Sequence, residues 1–320
     1  MIKILYPVKI LVTGGAGFIG SHLVEALLAD SRVSYVRVLD NLATGNRLNI
    51  EPFMNNSKFE FMWGDIREYN TCFDACKDMD LITHQAALGS VPRSIKQPLT
   101  TNNVNIGGTL NIFTAAKDLG IKRVVYAASS STYGDSKELP KKEEIIGSPI
   151  SPYAVTKLVN ELYAQVFAKL YGMEFIGLRY FNVFGPRQDP NGAYAAVIPL
   201  FFKAVQENLP PTINGDGSQT RDFTYVANAV EANKLALFTQ DTSAVNQVYN
   251  VACGEQTSLN ELWQAIREIT GSNLEAHHGP GRLGDVQHSL ADISKIKRGL
   301  GFEPLVKIKD GLEMVYPEYK

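Results

Sequence analysis

Short apolar runs rich in Val, Ile, Tyr and Phe recur through the first half of the chain, separated by stretches of helical period. Strands are predicted at Val8–Thr13, Tyr35–Asp40, Phe59–Trp63, Leu81–His84, Arg123–Ser129 and Phe175–Arg179. The clearest intervening helices are Phe18–Leu28, Ile106–Lys117 and Tyr153–Tyr171. That alternation is what a parallel sheet with crossover helices requires, so the predicted class is α/β, a doubly wound sheet. Its binding crevice is expected at the carboxyl ends of the strands. Further helices are predicted near Ala227–Phe238, Leu259–Ile269, capped by Ser258, and Asp292–Leu300. Gly185 to Ala196 has loop composition, and Ile213 to Gly217 reads as a hairpin-type turn.

The first predicted strand breaks into Gly14, Gly17 and Gly20 before a helix begins. Gly14 suits a sharp exit from the strand, Gly17 lets the main chain approach a pyrophosphate, and Gly20 lets the helix pack closely on the sheet. The amides at the start of that helix then face the phosphates. Glycine-rich turns also join elements that bind nothing. Asp40, about 20 residues beyond Gly20 and ending the second strand, shifts the balance, because a carboxylate there accepts hydrogen bonds from an adenosine ribose. It would also repel a 2′-phosphate, which favours NAD over NADP.

The other strand tips carry their own candidates. Asp65, in Gly64-Asp65-Ile66, suits an adenine amino group and equally an N-cap for a segment starting near Arg67. His84 to Arg93 is crowded with small residues that permit close ligand approach. Ser129, Ser130, Ser131 and Thr132 place four hydroxyls at the crevice mouth. Ser151-Pro152-Tyr153 then starts a helix that sets Tyr153 and Lys157 on one face. An isolated tyrosine, with a pKa of about 10, is a poor base, and a nearby ammonium is expected to lower it.

Bulk properties narrow the class. With 320 residues, 45% of them hydrophobic, the chain has material for one large or two moderate cores. A net charge of -2 offers no general attraction to nucleic acid or anionic membrane. Lys3 and Lys9 interrupt the N-terminal apolar stretch, which reads as strand rather than signal peptide, and no apolar run is long enough to span a membrane. Cys72 and Cys76 at helical spacing and a solitary Cys253 are expected to be reduced thiols in the cytoplasm rather than metal ligands.

The set Gly14, Gly17, Gly20, Asp40, Asp65-Ile66, Asn105, Ser129 and Tyr153-x-x-x-Lys157 resembles the extended short-chain dehydrogenase/reductase family across essentially the whole chain. The segments 84–94, 127–135, 151–157 and 178–199 are similar to UDP-N-acetylhexosamine 4-epimerases. The resemblance implies a Rossmann-like domain over 1–180 and a smaller C-terminal α/β substrate domain over 181–320, with the chain partly crossing back. It implies NAD as cofactor, a UDP-sugar substrate and a homodimer built on two long helices of the first domain.

The same resemblance implies roles. Tyr153 would be the base, Lys157 would hold the nicotinamide ribose, and Ser129, or its neighbours Ser130 and Ser131, would bond the sugar 4-hydroxyl. Phe18, Ile19, Asn41, Ile66, Gln85, Ala86, Ala87 and Asn105 would join the glycines, Asp40 and Asp65 around the cofactor. Gly89, Ser90, Asn182, Ala196, Val197, Arg221, Arg282, Asp285 and Ser289 would contact substrate, the arginines suiting phosphate oxygens. Ser289 stands where epimerases that reject acetamido sugars carry a tyrosine, so UDP-GlcNAc and UDP-GalNAc are expected substrates; Ser289 also reads as the start of the next helix. Uronates stay open because Arg93 could face a carboxylate or solvent. Family dehydratases carry an Asp-Glu pair after the serine, and decarboxylases a glutamate, where this chain has Ser130 and Ser131. A non-catalytic NAD-binding regulator is the rival from another class. One departure is Ala227-Asn228, where relatives often carry acids, which puts local helix capping in question.

Overall fold

The computed structural model describes residues 7–191, 195–281 and 287–320. The first half runs β1 (Val8–Thr13), α1 (Phe18–Leu28), β2 (Val33–Asp40), β3 (Phe59–Trp63), α2 (Tyr69–Cys76), β4 (Leu81–His84), α3 (Val91–Lys96), α4 (Pro98–Asn102), α5 (Thr109–Asp118), β5 (Arg123–Ser129), α6 (Pro152–Tyr171) and β6 (Glu174–Tyr180). The second half runs β7 (Val183–Phe184), α7 (Val197–Gln206), β8 (Thr212–Asn214), β9 (Thr220–Arg221), β10 (Thr224–Tyr225), α8 (Val226–Phe238), β11 (Gln247–Val251), β12 (Thr257–Ser258), α9 (Leu259–Thr270), β13 (His277–Gly279), α10 (Ser294–Leu300) and α11 (Ile308–Val315).

Seven strands form the main sheet in the order β11-β6-β5-β4-β1-β2-β3, every pairing parallel. The order reverses between β1 and β4, which is where a doubly wound sheet opens its crevice. Alternate residues feed the two faces: Val8, Ile10 and Val12 pack with α1 and α8, whereas Leu11 packs with α2, α5 and α6. A third apolar cluster, built on Phe184, Phe201, Phe202, Trp263 and Leu312, gathers α7, α9 and α11 away from the sheet.

The sequence pattern anticipates six of the seven strands. The exception is β11, which returns the chain to the sheet beside β6 with Gln247 facing Ile176. The expected hairpin at Ile213 to Gly217 is instead a turn with left-handed Gly215 and Gly217, and β8 pairs in parallel with the distant β13. The helix expected from Ile106 begins as a π-helical segment, Asn103–Gly108, leading into α5. α6 follows its local chemistry closely: Ser151 Oγ accepts the Ala154 amide at 3.1 Å, Pro152 occupies the first turn, and left-handed Gly172 ends the helix. The Ala227-Asn228 departure leaves α8 without a side-chain cap, but Asn228 has another role. Its Oδ1 accepts the Leu305 and Val306 amides at 2.8 and 3.0 Å, pinning the segment that leads to α11.

Candidate functional site

A cavity of about 1280 Å³ opens along the carboxyl ends of the strands, between the sheet and the segments that lead to α7. The turn after β1 forms one wall. Gly14 has φ +69, and an added Cβ there would lie 2.7 Å from the Ala86 amide nitrogen. A Cβ on Gly20 would strike the Gly14 carbonyl, so this glycine packs the helix on the turn itself rather than on the sheet. Gly15, absent from the three-glycine pattern, lies against β2: its Cβ would sit 2.6 Å from Val38 Cγ2. The first turn of α1 has neither an acidic side chain nor a side-chain cap, and Gly17, Phe18, Ile19 and Gly20 line the cavity. Those amides and the helix dipole form an anion site, and the tight glycine cradle fits the diphosphate of a dinucleotide.

The carboxylates beside this turn are already partly engaged. Asp40 Oδ2 accepts the Ala16 amide at 2.9 Å and Oδ1 the Leu42 amide at 2.8 Å, tying β2 to the glycine turn. Burial raises its pKa and these two amides pull it down. Asp65 is held at about 2, chiefly by Arg67, whose guanidinium bonds both oxygens; Asn41 Nδ2 adds a bond at 2.7 Å. Asp65 does not cap a helix at Arg67. It closes a turn on the Arg67 amide, and α2 starts later, at Tyr69. Asp40, Asn41, Asp65 and Ile66 all line the cavity.

Gln85, Ala86, Ala87, Gly89 and Ser90 form the wall beyond β4. Ser90 also caps α3, its Oγ accepting the Arg93 amide. Asn105 stands behind that wall and not on it. Fully buried, it clamps both backbone groups of Leu88 and donates to Thr156 Oγ1, so it shapes the loop from the rear.

Ser129, Ser130, Ser131, Tyr153 and Lys157 come together at the end of β5 and the start of α6. The Lys157 ammonium donates to the Ala127 carbonyl at 2.8 Å and lies 5.9 Å from the Tyr153 ring centroid. Burial pushes Lys157 down to about 8, against the pull of Glu161. Tyr153 departs from the expected behaviour: its pKa is raised, not lowered, because desolvation of the phenolate outweighs the hydrogen bond from Ser129. Spacing placed the ammonium near the ring but carried no information about burial. Ser129 itself accepts the Ser131 amide at 3.1 Å, which orders the serine turn.

On the far wall lie Asn182, at a left-handed φ of +33 and donating to the Asp222 carbonyl, and Ala196. Ala196 precedes α7, whose first turn also lacks an acid and a side-chain cap. Val197, Arg221 and Ser289 are not on the wall. Val197 packs into the third apolar cluster, and Arg221 bonds the Thr220 and Gln287 carbonyls. Ser289 is buried in an extended segment with its amide on the Thr220 carbonyl, so it does not begin a helix; α10 starts at Ser294. Arg282 and Asp285 lie outside the described residues. Arg93 lines the cavity from α3.

Two polar groups escaped the sequence reading. Asp222, buried and raised to about 7 by desolvation, accepts the amides of Cys253, Gly254 and Ala291, and so staples three segments together. Asn233 bonds Gln85 and Tyr180 beneath the cavity. Both find partners far along the chain, so no local signal marks them. Cys72, Cys76 and Cys253 are buried thiols, each pushed up to about 12 by burial. Among the described residues no helix is long and apolar enough to cross a membrane.

Residues 10–252 match the model of the NAD dependent epimerase/dehydratase family. The chain belongs to that family. NAD is accordingly its cofactor, in keeping with the glycine cradle and Asp40. The fold is similar to that of a UDP-N-acetylglucosamine 4-epimerase from Methanobrevibacter ruminantium solved with UDP-N-acetylmuramic acid: 39% identity, 98% of each chain covered, TM-score 0.91. It is similar also to a UDP-glucose 4-epimerase from Thermus thermophilus solved with NAD, at 35% identity, 97% and 98% coverage and TM-score 0.87. The UDP-glucose 4-epimerase of Mycolicibacterium smegmatis is 37% identical over 95% of this chain and 96% of its own.

Proposed function

We propose that the protein inverts C4 of UDP-hexoses through a transient 4-keto sugar, and that UDP-GlcNAc and UDP-GalNAc are its substrates. The observation that carries the reading is the meeting of Ser129, Tyr153 and Lys157 on the wall of one cavity with the dinucleotide cradle. The chemistry NAD supplies when bound is reversible hydride acceptance at the sugar carbon. Tyr153, steadied by Ser129, takes the proton of the 4-hydroxyl and later returns one to the ketone oxygen. Lys157 holds positive charge beside the phenol while Tyr153 is deprotonated. The uncapped start of α7 gives the cavity a second helix N-terminus, which suits the diphosphate of the sugar nucleotide. A cavity of about 1280 Å³ has room for the sugar to turn.

Ser130 and Ser131 follow Ser129 on the wall, and neither is a carboxylate that could move protons at C5 and C6, which weighs against 4,6-dehydration. The N-acetyl preference rests on the resemblance, which places the small Ser289 where epimerases that reject acetamido sugars carry a tyrosine; the residue is buried in the extended segment just off the cavity wall. Ser289→Tyr is expected to lower kcat/KM for UDP-GlcNAc by at least about tenfold, a steric exclusion of the size of a few apolar groups, with UDP-Glc turnover retained. Unchanged activity on UDP-GlcNAc would remove Ser289 from this role.

We infer also that the protein pairs with a second copy of itself. Val155, Leu162, Val166 and Leu170 leave an exposed apolar stripe on α6, continued by Ile95 and Leu99 on the adjoining α3 and α4. Light scattering at micromolar concentration is expected to give a dimer, and Leu162→Asp/Val166→Asp a monomer. A monomeric parent protein would refute this pairing.

A further inference from the structure

Gln85 and Tyr180 both line the cavity, Gln85 just beyond β4 and Tyr180 at the end of β6, opposite Ser129 in the strand register. What orients them comes from elsewhere in the fold. Asn233, fully buried on α8, donates from Nδ2 to the Ala229 carbonyl at 2.8 Å and to the Tyr180 hydroxyl at 2.7 Å. Its Oδ1 accepts Gln85 Nε2 at 3.0 Å and Thr83 Oγ1 at 3.2 Å. Tyr180 donates to Gln85 Oε1 at 3.0 Å, and Gln85 Nε2 gives its second hydrogen to Thr83 Oγ1 at 2.9 Å.

These bonds close into a ring of one direction. The Ala229 carbonyl is acceptor-only, so it fixes which end of the Asn233 amide faces it. The other end must then face Gln85 and Thr83. Tyr180, receiving a hydrogen from Asn233, must spend its own proton on Gln85, which settles the Gln85 amide in turn. Every polar atom of the circuit is satisfied, which makes a buried network rigid and specific.

We propose that Asn233 is a positioning residue for the reaction: it holds Gln85 and Tyr180 in one orientation on the cavity floor and commits the Tyr180 hydroxyl hydrogen to Gln85, so that Tyr180 does not compete with Tyr153 for the substrate hydroxyl. Tyr180 is the circuit's titratable member, and burial carries it to about 12. The charged groups around it are committed elsewhere. Glu231 and Lys234 of α8 pair with each other, Arg179 of β6 pairs with Glu161, and Lys157 is on the Ala127 carbonyl. Glu25 of α1 pairs with Arg187, and His84 of β4 lies between Thr13 and Thr109.

The inference rests on the assignment of this cavity as the reaction site, and Asn233→Asp tests it. An ionised carboxylate cannot donate, so it would accept the Tyr180 hydroxyl's hydrogen bond itself and strip Gln85 Oε1 of its donor. A protonated carboxyl restores one donor. The variant's kcat should therefore lie about tenfold or more below the parent at about pH 8.5 and recover toward it at about pH 5.5. KM for the UDP-sugar should stay within about twofold, and calorimetric NAD affinity should weaken over the same pH range. A parent-to-variant ratio independent of pH, with NAD affinity unchanged, would overturn the proposal. If the variant does not fold, Tyr180→Phe decides: a comparable fall in kcat at constant KM supports the circuit, and parental kcat refutes it. Tyr153→Phe, run alongside, separates the two claims, since its retained activity would refute the site and not merely Asn233.

Discussion

Tyr153→Phe is expected to lower turnover by about 10²- to 10⁴-fold, the range supplied by a positioned acid–base group. The phenol oxygen is the one atom removed, and Ser129 keeps its bond to the Ser131 amide, so the serine turn survives. Circular dichroism and the melting temperature should match the parent, and KM for the sugar nucleotide should change little. The burial that raises the Tyr153 pKa makes the residue a reluctant base, which places weight on its neighbours. Ser129 lowers that pKa, and the Lys157 ammonium, loosened to about 8 by its own burial, stands close by. Near-parental activity in Tyr153→Phe would remove the residue from the reaction.

Arg179→Met is expected to cost about 3–5 kcal/mol of stability, read as a lower midpoint in urea with an unchanged slope. Arg179 on β6 makes two bonds to the Glu161 carboxylate, at 2.9 and 2.7 Å, and a third to the Glu143 carbonyl at 3.0 Å. Both partners of the ion pair are 4% exposed. Removing the guanidinium strands a buried carboxylate, and that uncompensated charge is the source of the loss. Arg179→Met/Glu161→Leu should recover most of it, because the double variant removes both charges of the pair. Equal destabilisation in the single and double variants would assign the loss to packing. Glu161 lies one turn beyond Lys157 on α6, so the pair also fixes the helix that carries Tyr153 and Lys157 to the sheet.

The strands and the glycine turn were legible because local rules specify them. Buried parallel strands read as apolar runs, and Gly14 is forced by a left-handed φ and a close backbone neighbour. β11 was illegible for a physical reason: Asn250 interrupts its apolar run, and its burial is compensated only by distant groups. Its side chain accepts the Tyr133 hydroxyl and donates to the Lys141 and Asp292 carbonyls. Asp222 and Asn233 are hidden in the same way. The short strands after β7 pair with partners far along the chain, so no hairpin rule finds them. Within the site, spacing correctly brought Ser129, Tyr153 and Lys157 to one wall, whereas it could not report the desolvation that sets their proton affinities. Asn105 shows the same limit, since its position in the motif does not reveal that it works through the backbone of Leu88.

The central claim, C4 inversion of a UDP-sugar with NAD recycled in place, is tested most directly by proton NMR of the anomeric signals. The purified protein is incubated with UDP-GlcNAc and, separately, UDP-Glc, without added NAD. The signal of the 4-epimer is expected to grow in to equilibrium with UDP-GlcNAc, with no net release of NADH. Absence of any epimer from either sugar, in a protein that binds NAD tightly, would contradict it and would favour a non-catalytic NAD-binding regulator.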